Sequence, residues 1–172
     1  MIPALSLPAD LTTDAGTVIT LRGARQEDLD AVMALMADDD VSRSRGDLAS
    51  PADRPAYAAA LDALVDDPAN ALLVVEHEGR VVATLQLTVI PGMARRGATR
   101  LLVEAVRVSS SLRSGGIGSA VMRWVTDVAA AATGAALVQL TSDAARVQAH
   151  RFYERLGFVG SHVGFKYRIG QA

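Results

Sequence analysis

The segment with the clearest chemistry lies near the middle of the chain, where residues 106–118 read VRVSSSLRSGGIG. Its apolar start and its glycine-rich end predict a strand, a turn and the beginning of a helix. Backbone N–H groups in such a turn, next to a helix N-terminus, form a concave site of positive potential that suits a pyrophosphate group. The segment therefore predicts a binding site for a nucleotide-type ligand.

Two common phosphate-binding motifs do not fit this segment. A P-loop needs Lys-Ser or Lys-Thr after its last glycine, whereas Ser119 and Ala120 follow Gly118 here. A dinucleotide fingerprint needs a third glycine where this chain has Val121, and residues 134–139 supply no carboxylate for a ribose. These departures argue against a nucleoside triphosphatase and against a dinucleotide-binding domain.

Residues 113–118, RSGGIG, closely resemble the Arg/Gln-x-x-Gly-x-Gly/Ala signature of the GNAT superfamily, the acyl-CoA-dependent N-acetyltransferases. In that family the loop amides bind the CoA pyrophosphate, and the preceding strand pairs with the pantetheine arm. Glycine allows a close approach of the backbone, and an arginine adds a charge-assisted contact. The resemblance implies that the residues contacting the cofactor are Val106, Val108, Arg113, Ser114, Gly115, Gly116, Ile117, Gly118 and Ser119.

A second segment, AHRFYERLGF at residues 149–158, resembles the A-x-x-F-Y-x-x-x-G-F segment of the same family. In the family its tyrosine is often placed near the CoA sulfur as a general acid, and Tyr153 holds that position here. A phenol with a pKa near 10 is protonated at neutral pH and can donate this proton. Arg146 is a departure, because many members carry asparagine there, and a contact with the phosphates is an alternative role for it.

Glu104 is the candidate general base. An amine with a pKa near 10.4 is almost fully protonated at neutral pH, so it must lose a proton before it can attack a thioester. Glu104 is an isolated carboxylate within the apolar run LLVEAV, and partial burial would raise its pKa toward the working range. Many GNAT members carry a glutamate at the corresponding point of this strand, which supports the choice.

Composition limits the other possibilities. With 172 residues and half of them hydrophobic, the chain is expected to form one globular domain. A net charge of −2 gives no support for nucleic-acid binding. The chain has no cysteine, so a thiol nucleophile and a thiolate metal site are excluded, and no metal is expected. The start of the chain has no signal-peptide pattern and no apolar run could span a bilayer, which favours a cytoplasmic protein without a membrane partner.

The sequence pattern predicts a loose leader over residues 1–16 and a folded domain over 17–172, and the resemblance implies that this domain is an N-acetyltransferase. Residues 38–50 are predicted to form a polar loop, and Ser50 with Pro51 to begin a helix that reaches about Val65. The other predicted helices are Asp28–Met36, Gly116–Ala132 and Arg146–Leu156, and the predicted strands are Thr17–Arg22, a hairpin over Leu72–Ile90, Arg100–Val108, Ala136–Thr141, Phe158–His162 and Phe165–Ile169. The fold class is α/β (α+β), a GNAT-like mixed, mostly antiparallel central sheet flanked by helices.

The resemblance implies direct transfer of an acetyl group from acetyl-CoA to a primary amine, with a small-molecule acceptor favoured. Three alternatives stay open: an acceptor on a protein N-terminus or lysine, a non-catalytic acyl-CoA sensor of the same fold, and a nucleotide-binding regulatory module that shares only the loop. Acceptor pockets in this architecture come from variable segments, here about 28–66 and 91–99, which contain no diagnostic motif. A homodimer is expected from the habit of the family.

Overall fold

The computed structural model describes residues 2–167 and 169–170, and its centre is one six-stranded sheet with the order β1-β2-β3-β4-β5-β6. The first five strands run antiparallel to their neighbours, and β6 runs parallel to β5. The predicted mixed, mostly antiparallel sheet flanked by helices is therefore confirmed. The strands are β1 (Ala9–Thr12), β2 (Val18–Gly23), β3 (Asn70–His77), β4 (Arg80–Ile90), β5 (Arg100–Val108) and β6 (Leu137–Leu140).

The helical segments lie on both sides of this sheet. A π-helical turn over Val125–Ala129 joins α5 to α6, so that the two form one continuous rod. The fourth segment is a single turn in which Arg95 and Arg96 have left-handed dihedral angles. The segments are α1 (Leu29–Ala37), α2 (Asp40–Arg43), α3 (Arg54–Asp66), α4 (Ala94–Gly97), α5 (Ile117–Trp124), α6 (Ala130–Ala132) and α7 (Val147–Arg155).

Two apolar clusters cover the two faces of the sheet. Strand β3 contributes to both of them, because alternate residues of a strand point to opposite faces: Leu73 and Val75 pack on the α5 side, and Leu72 and Val74 on the α1 and α3 side. The strand is thereby buried on both faces, which explains its continuous apolar sequence. The α5 side is the one on which the glycine-rich segment lies.

The N-terminal segment differs from the predicted loose leader. Strand β1 pairs with β2 through a tight turn in which Gly16 has a φ of 81°. Ile2 and Leu5 are buried in the cluster on the α5 side. The leader is short and contains proline, so its sequence shows no clear strand pattern. Its apolar residues nevertheless pack against the sheet.

Residues 38–50 also contain more order than the predicted polar loop. The Asp39 side chain accepts a hydrogen bond of 2.8 Å from the Ser42 N–H and so caps α2. Farther along, the Ser50 hydroxyl accepts from the Ala52 N–H with Pro51 as the first residue of the turn, which confirms the predicted helix start. The correction is a short capped helix within the loop.

The two predicted closing strands, Phe158–His162 and Phe165–Ile169, are wrong for the described residues. The structure has no strand over residues 158–167, and Arg168 lies outside the described residues. An alternating apolar pattern forms a strand only where a neighbouring strand supplies hydrogen bonds, and none of the six described strands pairs with this segment. Phe158 packs against the core, and the apolar side chains after it are at least 80% exposed: Val159, Val163, Phe165, Tyr167 and Ile169.

Among the residues that the structure describes, no helix is long and apolar enough to cross a membrane.

Candidate active site

The pairing of β5 with β6 ends before β5 does, and we call the side of β5 that is left open there the cleft. The two strands pair only over Arg100–Val103 and Leu137–Leu140. Strand β5 then continues to Val108 while β6 ends, so residues 104–108 have a strand partner only on the β4 side. This half of β5 therefore presents an unpaired strand edge to the cleft.

A bulge in β5 sets the direction of this edge. Thr84 of β4 pairs with Arg107 and Gln86 pairs with Glu104, so Leu85 faces two residues of β5, and Ala105 has a φ of 52°. A left-handed conformation at a residue other than glycine costs on the order of 1–3 kcal/mol and is found mainly at functional sites. The extra residue changes the direction in which the backbone N–H and C=O groups after it point.

Beyond the bulge, the backbone groups of Val106 and Val108 face the cleft. The Ser109 N–H donates to the Val82 carbonyl of β4 at 2.9 Å. Since residues that bond to the neighbour alternate with residues that do not, Arg107 and Ser109 face β4, and the two valines face away from it. The carbonyl of Val106 accepts from Arg107 Nη1 at 2.8 Å and that of Val108 from Arg113 Nε at 3.3 Å. Their N–H groups remain for an extended ligand.

The glycine-rich turn between β5 and α5 holds a set of free donors. Gly116 caps α5 in a left-handed conformation with a φ of 84°, and no side chain caps this helix. Five backbone N–H groups of the turn have no acceptor among the described residues: those of Ser114, Gly116, Ile117, Gly118 and Ser119. Unsatisfied N–H groups at a helix N-terminus, together with the helix dipole, favour an anion. The turn therefore fits a pyrophosphate group.

The two sequence motifs meet at Gly118. A Cβ atom added to Gly118 would lie 3.3 Å from Cζ of Phe152 and 3.7 Å from Cγ2 of Val108. The absence of a side chain thus lets α7 pack against the junction of β5 and α5. Ile117, by contrast, is buried in the apolar core, so only its backbone can contact a ligand.

Arg113 is held against the end of α1. Besides its contact with Val108, the guanidinium donates to the Asp38 carbonyl and lies 3.8 Å from the Asp38 carboxylate. The Ser110 N–H also bonds to this carboxylate, and that bond is the main reason why the pKa of Asp38 is lowered. The predicted phosphate contact of Arg113 therefore competes with Asp38, although half of the side chain is exposed.

Tyr153 lies on α7 between two other aromatic rings. Its ring makes edge-to-face contacts with Phe152 and Phe158 at centroid distances of 5.1 and 5.8 Å. Burial raises the pKa of Tyr153, and the positive charges of Arg107 and Arg146 oppose that rise. Within the described part of the chain its hydroxyl makes no hydrogen bond, so its proton is free to be donated.

Glu104 lies on β5 opposite Gln86, immediately before the bulge. Its neighbour Val103 is buried, and Glu104 itself is exposed on the other face of the sheet. The partial burial considered from the sequence is therefore absent in this structure. An exposed carboxylate at this place can still accept a proton directly or through water.

A polar network that the sequence did not predict surrounds Arg107. The guanidinium of Arg107 donates to the Ser42 hydroxyl at 2.6 Å, and that of Arg146 donates to the same hydroxyl at 3.2 Å and to Asp39 at 2.5 Å. Burial and the nearby charge of Arg146 lower the pKa of Arg107. Burial also acts to raise the pKa of Asp39, but the bonds from Ser42 and the charge of Arg146 outweigh this and lower it. Arg146 thus contacts α2 instead of the glycine-rich turn.

The α2 segment, residues 38–45, spans from one side of the cleft to the other. Asp38 contacts the turn after β5, Asp39 contacts Arg146 before α7, and Arg45 forms an ion pair with Asp143 after β6. A cavity of about 400 Å³ lies beside this segment, lined by Asp38, Asp39, Asp40, Val41, Arg43 and Arg113. Arg146, the arginine that pairs with Asp39, lies 107 positions away from it, and only the charged residue within the apolar strand, Arg107, indicated such a network in the sequence.

Among the described residues, no group of three or more His, Asp or Glu side chains is arranged to hold a metal ion.

Comparison with a family model gives a match to the Acetyltransferase (GNAT) family over residues 32–158. This range includes α2, the cleft, the glycine-rich turn and α7, so all the features described above lie within it. The comparison with curated proteins gives no match.

Solved structures similar to this chain include a transcriptional regulator from Bacillus halodurans C-125, with 35% identity, a TM-score of 0.80, and coverage of 88% of this chain and 99% of that one. A putative acetyltransferase from Agrobacterium tumefaciens str. C58 has 27% identity and a TM-score of 0.72, with 86% and 98% covered. A glucosamine-6-phosphate N-acetyltransferase from Arabidopsis thaliana, 17% identical with a TM-score of 0.70 and coverage of 88% and 98%, shares the fold.

Proposed function

Because the chain belongs to the GNAT family of acetyltransferases, we propose that its β5–β6 cleft binds acetyl-CoA and that the enzyme transfers the acetyl group to a primary amine of a small molecule. The observation that carries this proposal is the continuity of the cleft. The free edge of β5 leads directly into the turn with five unsatisfied N–H groups, and Tyr153 belongs to the helix that closes on that junction.

The cofactor-binding role is divided between the strand and the turn. The N–H groups of Ser114, Gly116 and Gly118, together with those of Ile117 and Ser119, bind the pyrophosphate, and Arg113 adds a positive charge. The backbone of Val106 and Val108 pairs with the extended pantetheine arm in the way that a neighbouring strand would. When bound there, acetyl-CoA supplies an activated thioester carbonyl.

Three groups of the chain then serve the transfer. Glu104 accepts a proton from the incoming ammonium group, directly or through water, and so generates the neutral amine that attacks. A backbone N–H beside the bulge at Ala105 donates to the carbonyl oxygen as negative charge develops on it. Tyr153 donates its phenolic proton to the departing thiolate, and the raised pKa keeps this proton in place at neutral pH until then. The attacking nitrogen loses its second proton as the amide forms, and this proton restores the phenol of Tyr153, directly or through water.

Three carboxylates and two guanidinium groups line the cavity beside α2, and this excess of one negative charge supports a small cationic acceptor. Asp38, Asp39 and Asp40 line it, and it is adjacent to Arg113 of the pyrophosphate turn. Carboxylates favour an ammonium group near the cleft and raise its local concentration. A protein N-terminus or a lysine as acceptor is the second candidate, and a cytoplasmic location and a homodimer remain proposals from the sequence.

The proposal is tested by the release of free CoA thiol from acetyl-CoA in the presence of a panel of amines, amino acids, polyamines and short peptides. We expect thiol release with at least one small amine, accompanied by the acetylated product in the mass spectrum. Turnover only with peptides would move the acceptor to proteins. Binding of CoA without turnover on the whole panel would favour an acyl-CoA sensor.

A further inference from the structure

Arg107 is a charged residue of β5 to which the proposed transfer assigns no role. It lies opposite Thr84 of β4, and Glu104 lies opposite Gln86. These two partners are two positions apart on one strand, so they and the residues opposite them share one face of the sheet. Three positions separate Arg107 from Glu104 in the sequence, and the extra residue of the bulge, Ala105, compensates for this odd number. The bulge thus turns Arg107 toward the face that carries the candidate base.

The guanidinium of Arg107 joins the open edge of β5 to the α2 segment. Its Nη1 donates to the Val106 carbonyl at 2.8 Å, and its Nη2 donates to the Ser42 hydroxyl at 2.6 Å. The Val106 carbonyl faces the cleft, so the guanidinium lies at the edge of the cleft, on the side of α2. Both bonds come from one planar, forked group, which fixes the two acceptors relative to each other.

The surroundings of Arg107 do not favour a positive charge. Burial and the charge of Arg146 lower the pKa of Arg107, and the carboxylates of Asp39 and Asp47 act on it only at longer range. Its Nε is shielded from water and has no acceptor, and none of the ion pairs among the described residues includes it. Neutral partners compensate less for a buried charge than a carboxylate does. Arg107 is therefore poorly suited to stabilising the fold, and such residues are typical of functional sites.

Ser42 is the residue through which α2 contacts this guanidinium. It is buried, with 2% of its surface exposed, and its hydroxyl also accepts from Arg146 at 3.2 Å. Other contacts of the α2 segment lead elsewhere: Asp38 contacts the turn after β5, and Arg45 contacts the loop after β6. The bond from Arg107 to Ser42 is therefore a direct connection between α2 and the part of β5 that borders the proposed thioester site.

We infer that Arg107 is a positioning residue for acetyl transfer: it holds the Val106 peptide, next to the thioester in the proposed complex, at a fixed distance from α2, which lines the acceptor cavity. The inference rests on the proposed function, because it assigns the two groups that Arg107 joins to the two substrates. An attacking amine must come within about 3–3.5 Å of the carbonyl carbon, and a misplacement of about 1 Å can cost about 100-fold in rate. Arg107 does not touch the reacting atoms and acts through the groups that it joins.

A role of the charge alone predicts a different result from a role of the two bonds. Lysine keeps the positive charge, but its compact ammonium group lacks the planar fork that reaches both acceptors. Arg107→Lys and Arg107→Gln should therefore lose activity alike if the two bonds matter. If only the charge acted, through its effect on Tyr153, the lysine variant would stay active.

Steady-state acetyl transfer to the amine identified by thiol release, together with calorimetric titration of CoA, tests the inference. We expect Arg107→Gln and Arg107→Lys to lower kcat about 10–100-fold and to leave CoA affinity unchanged, because the pyrophosphate turn is untouched. Ser42→Ala should lower kcat about tenfold. The double variant of Ser42→Ala and Arg107→Gln should be no slower than Arg107→Gln alone, since both changes break the same connection. Arg100→Gln, which changes an exposed arginine of the same strand, is the matched control and should behave as the wild type.

Retained CoA affinity shows that the variants are folded, so that a loss of kcat reports on the transfer step. Four results would overturn the inference while leaving acetyl transfer in place: wild-type kinetics of Arg107→Gln, loss of CoA binding in that variant, full activity of Arg107→Lys, or a double variant whose loss is the product of the two single losses. A wild type that releases no thiol with any amine would instead overturn the proposed function, and the inference with it.

Discussion

Tyr153 combines a buried ring with a free hydroxyl, which separates its packing from its chemistry. Replacement by phenylalanine keeps the contacts with Phe152 and Phe158 and removes only the proton donor. We expect Tyr153→Phe to lower kcat about 100-fold, the lower end of what a general acid contributes, without weakening CoA binding. The measurement is steady-state thiol release together with calorimetric titration of CoA.

Tyr57→Phe is the control for this change. The Tyr57 hydroxyl bonds to Asp47, which raises the pKa of Tyr57 to about 12, and it contacts neither motif. Its loss should reduce stability by about 1 kcal/mol and leave kcat unchanged. Full activity of Tyr153→Phe would show that the sulfur takes its proton from elsewhere.

Glu104 is needed only while the acceptor amine is protonated. Glu104→Gln should therefore reduce the rate about 100-fold at pH 7, and this difference should shrink as the pH approaches the amine pKa of about 10. The pH dependence of kcat/KM for both proteins measures this convergence. Glu154→Gln, an exposed glutamate on α7, is the control and should follow the wild type at every pH. A constant ratio between Glu104→Gln and wild type across the pH range would exclude the role of base.

Sequence patterns predict those residues of the candidate site that act through their backbone. The turn at 113–118 needs glycine for its left-handed conformation and for the close approach of Phe152. Its pattern can therefore be recognised from consecutive residues of the sequence. The ion pair of Asp39 with Arg146 cannot be predicted in this way, because 107 positions separate the two residues and only the folded sheet brings them together.

At the scale of the elements, a methyl group added to the turn before α5 should weaken CoA binding, whereas one added to the turn after α6 should not. Gly116 and Gly134 have φ values of 84° and 65°, so alanine at either position costs about 1 kcal/mol of stability. Of the two, only Gly116 has a neighbour within reach of the new Cβ, Thr13 Cβ at 3.2 Å, and only its backbone belongs to the proposed pyrophosphate site. We expect Gly116→Ala to weaken CoA binding about tenfold and Gly134→Ala to leave it unchanged.

Chemical denaturation and calorimetric titration of both variants measure the two effects separately. Equal CoA affinities for Gly116→Ala and Gly134→Ala would remove the turn from the cofactor site.

The α2 segment depends on one carboxylate. Asp39→Asn keeps the helix cap, because asparagine caps as well as aspartate, but it removes the carboxylate that pairs with Arg146 and also acts on Arg107. We expect a loss of about 2 kcal/mol in the free energy of unfolding, below the value for a fully buried pair. Asp40→Asn is the control and should cost almost nothing, since the Asp40 side chain is 97% exposed.

The effect of Asp39 also has a defined pH range. Because the pKa of Asp39 is lowered in the folded state, its stabilisation is complete above its unfolded pKa of about 3.9 and is lost as the pH falls toward the folded value. Urea denaturation at pH 7 and below pH 4 should show the gap between Asp39→Asn and wild type closing. A gap that is absent at pH 7, or independent of pH, would exclude the charge pair.

Elements with many local contacts follow their sequence patterns. Strand β5 has the predicted bounds, Arg100–Val108, and the predicted Ser50 cap begins the turn Pro51–Asp53 that leads into α3. The segment after α7 carries an equally regular alternation and forms no strand, since a strand also needs an edge to pair with. The pattern states which face is apolar but not which molecule covers it.

At the scale of the whole molecule, the cleft exists because β5 and β6 stop pairing partway along the sheet. The fold class follows from the order of predicted strands and helices, and it is confirmed. The end of the β5–β6 pairing after Val103 does not follow from that order, because it depends on the early end of β6 at Leu140. The bulge at Ala105 and the α2 segment then shape the opening.

The most direct test of the central claim, that this cleft is an acyl-CoA site, is the thermal unfolding of the whole protein with CoA, ATP or NAD at equal concentrations. CoA at about 100 times its dissociation constant should add about 2.7 kcal/mol to the free energy of unfolding. For a domain of this size, that raises Tm by about 5–10 °C. ATP and NAD should raise it much less. An unchanged Tm with CoA, or an equal rise with ATP, would contradict the claim.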